Sequence, residues 1–308
     1  MGKTAKWEEG RWVFSLRFDY STHFIPSTVA YSLTVIPTFI LGTTVKALAL
    51  TQNKTRERYF SMKESLESPE IHLNDDLYLS YGIEKNQSKE SGYLTSEGYT
   101  RRPGDENHLK LEKEALGLIG DLLNNAGIIW WLDCGSCLGA YRYGGVIPWD
   151  EDIDIAVLLP DHDNLLHLLN RLDKKKYRVQ DWSSRDHPNS YLKVLVRETS
   201  TYIDIYHYKI IPQTHQLQYI LALENAYFLP EWWKIRERRF TVPVDISTVF
   251  PLKQAVFDGI SVYVPNDTQK YLHRFYDKNL APAKIYDSLT GQYEKDLTHP
   301  YWEKAYVH

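Results

Sequence analysis

The run VIPWDEDIDIAVLL, residues 146–159, alternates acidic and branched apolar side chains and then becomes wholly apolar. That pattern predicts a central β-strand, with Pro148 confined to its start, where no ladder hydrogen bond is lost. A strand turns successive side chains to opposite faces. Asp150, Asp152 and Asp154 are therefore expected on one side, and Glu151, Ile153 and Ile155 on the other. Carboxylates about 7 Å apart, twice the rise per residue, repel one another unless a cation lies between them. Hard divalent ions such as Mg²⁺ or Mn²⁺ prefer carboxylate oxygen and keep open positions for phosphate and water. A solvated acidic edge strand is the plainer reading, but the flanking Ile and Val residues speak for a strand covered on both faces.

Working outward, the periodicity predicts a helix capped by Asp105 and running to about Ala126, with Leu109, Leu116, Ile119 and Leu123 on one stripe and Gly127 as its stop. IIWWLD, 128–133, reads as a buried strand. Gly135-Ser136 is expected to form a tight turn into a short helix, CLGAYRY, closed by Gly144-Gly145. Such a turn brings backbone N–H groups and a helix N-terminus within reach of a phosphate, although a Gly-Ser pair alone is a weak signal. Arg142 is a candidate for a charge-assisted contact to an anionic ligand, or else a surface arginine paired with a neighbouring acid. Downstream, a helix is expected at about 161–173, and strands near 177–182, 190–198 and 201–210. This order predicts an α/β (α+β) domain with one mixed sheet.

Two further charged residues lie inside apolar strands. In TYIDIYHY, Asp204 shares a face with Tyr202, Tyr206 and Tyr208, and a carboxylate there needs a partner, either a metal or an acceptor hydroxyl. Lys193, in SYLKVLV, is a candidate phosphate contact.

The remainder of the sequence sets bounds. The 308 residues carry a net charge of −4, which argues against a duplex nucleic-acid binder. Cys134 and Cys137 form a C-x-x-C pair with no further cysteine, so no four-thiolate zinc site exists within one chain, and small buried thiols are the expected outcome. Residues 24–45 hold no charge over 22 positions, long enough to cross a bilayer, yet seven are Ser or Thr and two are Pro. A membrane segment and a packed segment of the globular body both remain open. Residues 51–105 read as a polar connector. Asn53, Asn86 and Asn266 head N-x-Ser/Thr triplets, which matter only in a secretory lumen. In EWWKIRERRF, Trp232 and Trp233 are expected to pack inward, with a stacking wall for a sugar or base as the alternative. Arg236, Arg238 and Arg239 form either a solvated face or an anion contact, and the stretch after residue 279 offers no mechanistic clue.

WLDCGSCLGAYRYGGVIPWDEDIDI, followed in order by YIDIY, FPLK (250–253), VFDGI (256–260) and VYVP (262–265), resembles the signature of the LicD/fukutin family. The resemblance covers roughly residues 108–278 and none of the first hundred. It implies a nucleotidyltransferase fold over 101–308, a mixed central sheet flanked by helices, preceded by a non-family extension at 1–100. Members transfer phosphocholine or an alditol phosphate from a CDP-linked donor, CDP-choline or a CDP-alditol, to a sugar hydroxyl of a glycan. By that resemblance Gly135 and Ser136 hold donor phosphates, Asp150, Asp152, Asp154 and Asp204 bind Mg²⁺ or Mn²⁺, and one carboxylate assists acceptor deprotonation. The implied place is a membrane-associated enzyme with its catalytic domain in the Golgi or secretory lumen if 24–45 spans, and the cytoplasm otherwise. Ser136 replaces the usual threonine, Glu151 the usual aspartate, and Asp277 the glycine expected after Tyr276. Rival readings are a nucleotidyltransferase that delivers the nucleotide itself, a glycosyltransferase with an Asp-x-Asp motif, and a non-catalytic binding protein.

Overall fold

A computed structural model describes residues 3–8, 11–16, 24–67, 71–84, 88–91, 106–184, 187–222, 224, 229–276 and 279–303. Asp105, Asp277 and the head of the Asn86 triplet lie outside the described residues.

The chain opens with an antiparallel hairpin, β1 (Lys3–Glu8) and β2 (Arg11–Leu16). Helix α1 (Phe24–Leu50) follows, with Pro37 inside it, then α2 (Asn53–Glu67). Within α1, Ser32–Leu50 is long and apolar enough to cross a membrane by length and composition, and Leu33, Ile36, Ile40 and Leu41 are all exposed. Thr34, Thr43 and Thr44 return their hydroxyls to carbonyls four residues back, which satisfies those polar groups within the helix.

The expected connector is more structured than its polar composition suggested. Besides α2 it contains α3 (Asp75–Ser80) and β3 (Ser88–Ser91), and part of it docks on the body. Tyr78 and Ile83 are buried, and Asp161 accepts hydrogen bonds from Tyr78 (2.7 Å) and Asn74 (2.7 Å). These two anchors are buried while the neighbouring Leu73, Leu77 and Leu79 are exposed, so the apolar positions follow no period that marks the buried face. That is why the sequence pattern missed this segment.

The body begins with α4 (Glu106–Asn125), whose Leu116, Ile119 and Leu123 are buried as the stripe predicted. Gly127 ends it at φ +70, where the Ile128 N–H reaches back to the Leu123 carbonyl. Then come β4 (Trp130–Leu132), α5 (Cys134–Tyr143), β5 (Asp152–Leu158) and α6 (His162–Leu169). Strands β6 (Tyr177–Asp181), β7 (Tyr191–Val196), β8 (Thr201–Ile211) and β9 (Gln216–Tyr219) complete most of the sheet. Beyond them lie α7 (Glu231–Arg238), β10 (Val244–Asp245), α8 (Ile246–Val249), β11 (Lys253–Phe257), β12 (Ile260–Val264) and α9 (Thr268–His273). A last hairpin is β13 (Lys284–Asp287) with β14 (Gln292–Lys295).

The seven-stranded sheet is mixed. β8 runs parallel to β5 along one edge and pairs antiparallel with β7 and then β9 along the other, while β4, β6 and β10 lie outside these. Helix α4 crosses β5, β7 and β8, and α5 packs on β4 and β5. Ile153, Ile155, Val157, Ile203 and Ile205 are fully buried, so the strand carrying the aspartates is central, not an edge. β11 and β12 form a smaller sheet with β3.

Three expected boundaries shift. Residues 146–151 precede the strand, so Asp150 is not on β5 and the period-two argument does not apply to it. The residues thought to make a Gly-Ser turn are already inside α5, which starts at Cys134 with Asp133 as its N-cap. The helix after β5 opens with a 3-10 turn at Leu159–Asp161 and reaches only Leu169.

Candidate active site

Sheet register builds the site. Because β5 and β8 pair in parallel with Asp154 beside Asp204, and β7 lays Lys193 directly against Asp204, side chains from three strands share one face. Asp152, Asp154 and Asp204 present carboxylate oxygens that all lie within 4.8 Å of one another. Asp154 and Asp204 are buried, and Asp152 is half-buried.

The N-terminus of α5 closes over this face. The Gly135 N–H donates to Asp154 Oδ2 at 3.1 Å, and the Asp154 N–H donates to Ser136 Oγ at 2.8 Å. A Cβ on Gly135 would lie 2.6 Å from Asp150 Oδ2, so only glycine admits that carboxylate so near the helix. Asp150 thus joins the cleft from its loop rather than from the strand. Gly135 and Ser136 spend these two bonds on Asp154, tying the phosphate-turn candidate to the metal candidate.

Lys193 is likewise engaged. Its Nζ lies 2.8 Å from Asp204 Oδ2, which also accepts the Tyr191 hydroxyl at 2.7 Å. The other oxygen, Asp204 Oδ1, is buried without a hydrogen-bond partner among the described residues. Arg142 lines the cleft and also holds backbone: its Nε and Nη2 donate to the carbonyls of Leu280 and Ala281.

Electrostatics follow from crowding. Burial pushes the Asp150 carboxyl up to about 7, with the Asp152 charge adding to it. Asp152 is pushed up to about 6 by burial and then by Asp204, while Lys193 pulls it down. Asp154 rises well above the usual carboxylate range through burial and the charges of Asp152, Asp204 and Asp150. The cluster holds more negative charge than one lysine balances. A hard divalent cation fits this donor set: three clustered carboxylates, one of them with an unsatisfied buried oxygen.

The surrounding cleft is about 560 Å³ and includes Gly135, Arg142, Asp150, Asp152, Asp154, Lys193 and Asp204. A smaller aromatic recess of about 250 Å³ adjoins it, sharing Tyr191, Lys193, Tyr206, Tyr219 and Trp233 and adding Trp182 and Tyr202. Trp233 lines both and packs against the core, whereas Trp232 is 42 % exposed, so the inward packing expected for the pair holds for Trp233 alone. Arg238 reaches Glu224 and Glu231, and Arg239 lies over the Phe240 and Tyr276 rings. Both cysteines are free and buried, as small inert thiols should be, and burial pushes both thiols up.

Asp133 was missed. It is fully buried, caps α5 at the Cys134 N–H (2.8 Å), and accepts the hydroxyls of Tyr271 (2.7 Å) and Tyr208 (2.9 Å). Burial raises its pKa, and the two tyrosines and Arg274 counter the rise. The signal was available in its place as an Asp directly before the helix that opens at Cys134. Tyr208 and Tyr271, 63 residues apart, carry no such mark.

Residues 127–267 match the family described as LicD/FKTN/FKRP, nucleotidyltransferase domain. The matched segment is similar to that family's domain. It contains every site residue predicted from the sequence. The chain is 29 % identical over 183 residues to an uncharacterized protein of Rickettsia typhi, covering 57 % of this chain and 50 % of that one. It is 41 % identical over 56 residues to ribitol 5-phosphate transferase FKRP of Homo sapiens, covering 18 % of this chain and 11 % of that one. The chain therefore spans about half the length of its Rickettsia relative and far less of the human one. Among solved structures, it is similar to lincosamide antibiotic adenylyltransferase LnuA with lincomycin bound. Identity there is 13 % and the TM-score 0.33, covering 54 % of this chain and 87 % of that one.

Proposed function

We propose that this LicD/FKTN/FKRP domain is a metal-dependent phosphotransferase. It moves a phospho-linked small group, an alditol phosphate or phosphocholine, from a CDP-activated donor to a sugar hydroxyl of a glycan. The observation that carries the reading is the group Asp152, Asp154 and Asp204 with its unsatisfied buried oxygen, set on the floor of a cleft within a family domain. Its relatives named ribitol 5-phosphate transferase support the substrate class.

Asp152, Asp154 and Asp204 would hold Mg²⁺ or Mn²⁺. When bound, such an ion supplies positive charge against the phosphate oxygens and the leaving group. The chain's own residues do the rest. Gly135 and Ser136 fix Asp154 from below, and Lys193 with Tyr191 fixes Asp204, so the ligand oxygens are preorganised rather than free to turn. Asp150 lines the cleft from its loop and is the carboxylate we assign to receive the acceptor hydroxyl proton. The acceptor oxygen bonds to the phosphorus bearing the small group, the P–O–P bridge breaks, and CMP leaves. Positioning and charge stabilisation supply the rate, with no covalent enzyme intermediate.

Incubation with CDP-ribitol or CDP-choline and a glycan acceptor in Mg²⁺ or Mn²⁺ tests this directly. CMP release that stops in EDTA supports it. Pyrophosphate release from free NTPs, with no CMP from the CDP-linked donors, would establish the nucleotidyltransferase reading instead. The exposed apolar helix α1 supports membrane attachment of the enzyme, which resistance of the full chain to carbonate extraction would demonstrate.

A further inference from the structure

The segment after α9 plays no part in the reading above, yet it builds one wall of the cleft. Asn279, Lys284, His299, Tyr301 and Trp302 line it, and all lie beyond residue 267, where the family match ends. The wall is held in place by specific bonds. Arg142 of α5 donates to the carbonyls of Leu280 and Ala281, and Trp302 Nε1 donates to the Ala283 carbonyl at 2.8 Å. The Tyr293 ring packs on Trp149 at 5.0 Å between centroids, and Lys284 Nζ lies 5.5 Å from the centre of the same indole.

Among the described residues of this wall, His299 carries a buried ring nitrogen that no protein group bonds. It is 7 % exposed. Its Nδ1 accepts the Tyr301 N–H at 3.1 Å, which in the neutral ring places the proton on Nε2. Nε2 is buried and has no hydrogen-bond partner among the described residues. A buried N–H donor without a partner costs stability, and at a cleft wall its natural complement is a ligand oxygen. The cleft sets cations around its four aspartates, and the tail contributes Lys284 and His299 beside Arg142, Lys193, Arg236 and Arg239. An anion that shares its oxygens between a cation on the aspartates and N–H donors on the tail satisfies both sides, and Tyr301 and Trp302 offer aromatic surface to a base.

We propose that residues 279–303 are the binding wall for the nucleoside-diphosphate half of the donor, with His299 Nε2–H donating to a phosphate oxygen and Lys284 adding a second contact. This rests on the cleft being the site of a nucleotide-linked donor. The tail, outside the family domain, then joins in substrate recognition.

Two substitutions separate this role from a structural one. His299→Asn keeps an acceptor for the Tyr301 N–H and deletes the donor at the cleft. His299→Gln keeps a donor near the Nε2 position and deletes the acceptor. The full chain is titrated calorimetrically with CDP in Mn²⁺, and the thermal shift caused by Mn²⁺ alone is recorded separately. His299→Asn is expected to weaken CDP about tenfold, as loss of a bond to a charged group does, while His299→Gln stays within about threefold of wild type. Both should keep the wild-type Mn²⁺ shift. The opposite order, equal loss in both variants, or no loss in either overturns the assignment while leaving the transferase reading intact. A wild-type protein that responds to Mn²⁺ but binds no CDP overturns both.

Discussion

Replacing Asp152 by Asn should stabilise the metal-free protein above neutral pH and abolish its response to divalent ions. The Asp152 carboxyl stands at about 6 against an ordinary 3.8, through burial first and the Asp204 charge second, with Lys193 opposing. At about 1.4 kcal/mol per pH unit, holding it ionised costs the folded state about 3 kcal/mol. A raised folded-state pKa means that the native protein binds the proton more tightly than the unfolded chain does. Stability contributed by this group is therefore present below about pH 4, declines as pH rises to about 6, and stays lost above that. Asparagine never carries the charge. Because Asp150 and Asp154 share the repulsion, a gain of about 1–3 kcal/mol is expected at pH 8, and about 2–4 °C in Tm per kcal/mol for a domain of this size. Calorimetric melts at pH 4 and pH 8, each in EDTA and in Mn²⁺, provide the test. The variant should melt above wild type at pH 8 in EDTA and level with it at pH 4, and Mn²⁺ should raise wild type alone. A variant that melts below wild type at pH 8 in EDTA, or one that Mn²⁺ stabilises as much as wild type, would show that these carboxylates neither repel one another nor hold an ion.

Gly135→Ala should leave folding stability within about 1 kcal/mol of wild type, because a helical alanine offsets the displaced carboxylate, while its Cβ moves Asp150 and reduces transfer at least tenfold; steady-state kinetics beside a melt would expose an error. His207 contacts His162 at 3.1 Å and is held down to about 3 by burial and then by that neighbour. Its stabilising contribution is complete above pH 6.5 and is lost as pH falls through the window towards 3, so at pH 5 about 2 kcal/mol should be missing. His207→Gln should flatten that acid limb in chemical denaturation. Tyr78→Phe, which removes the 2.7 Å bond to Asp161, should cost about 1–2 kcal/mol and raise proteolysis near residues 68–90. Unchanged cleavage would mean that α3 docks through Ile83 rather than through this pair.

Much of the site was legible because strand alternation is a strict rule. Once DIDI and YIDIY are strands, Asp152, Asp154 and Asp204 fall on defined faces, and their neighbours Ile153 and Ile205 mark those strands as central. Asp150 resisted this logic, since it reaches the cleft from a loop, and loop side chains follow no period. Arg142 is the clearer lesson. A cation near a phosphate turn invites pairing with an anion, but two of its donors go to carbonyls 138 and 139 residues away, and no spacing rule reports a contact of that range. The tail was opaque for the same reason: Lys284 and His299 acquire meaning only through the docking of a hairpin against Trp149. In 51–105, Tyr78 and Ile83 are buried singly, too sparsely for a hydrophobic pattern to form.

The side-by-side match of Asp154 with Asp204 along two parallel strands also ties assembly to ion capture. The strands come from segments some fifty residues apart in sequence, and a slip of one position would send Asp204 to the opposite side of the sheet. An ion that needs both carboxylates therefore binds only the correctly aligned pairing and lowers its free energy relative to every misaligned one. The cation that the chemistry calls for would also proofread the fold that holds it.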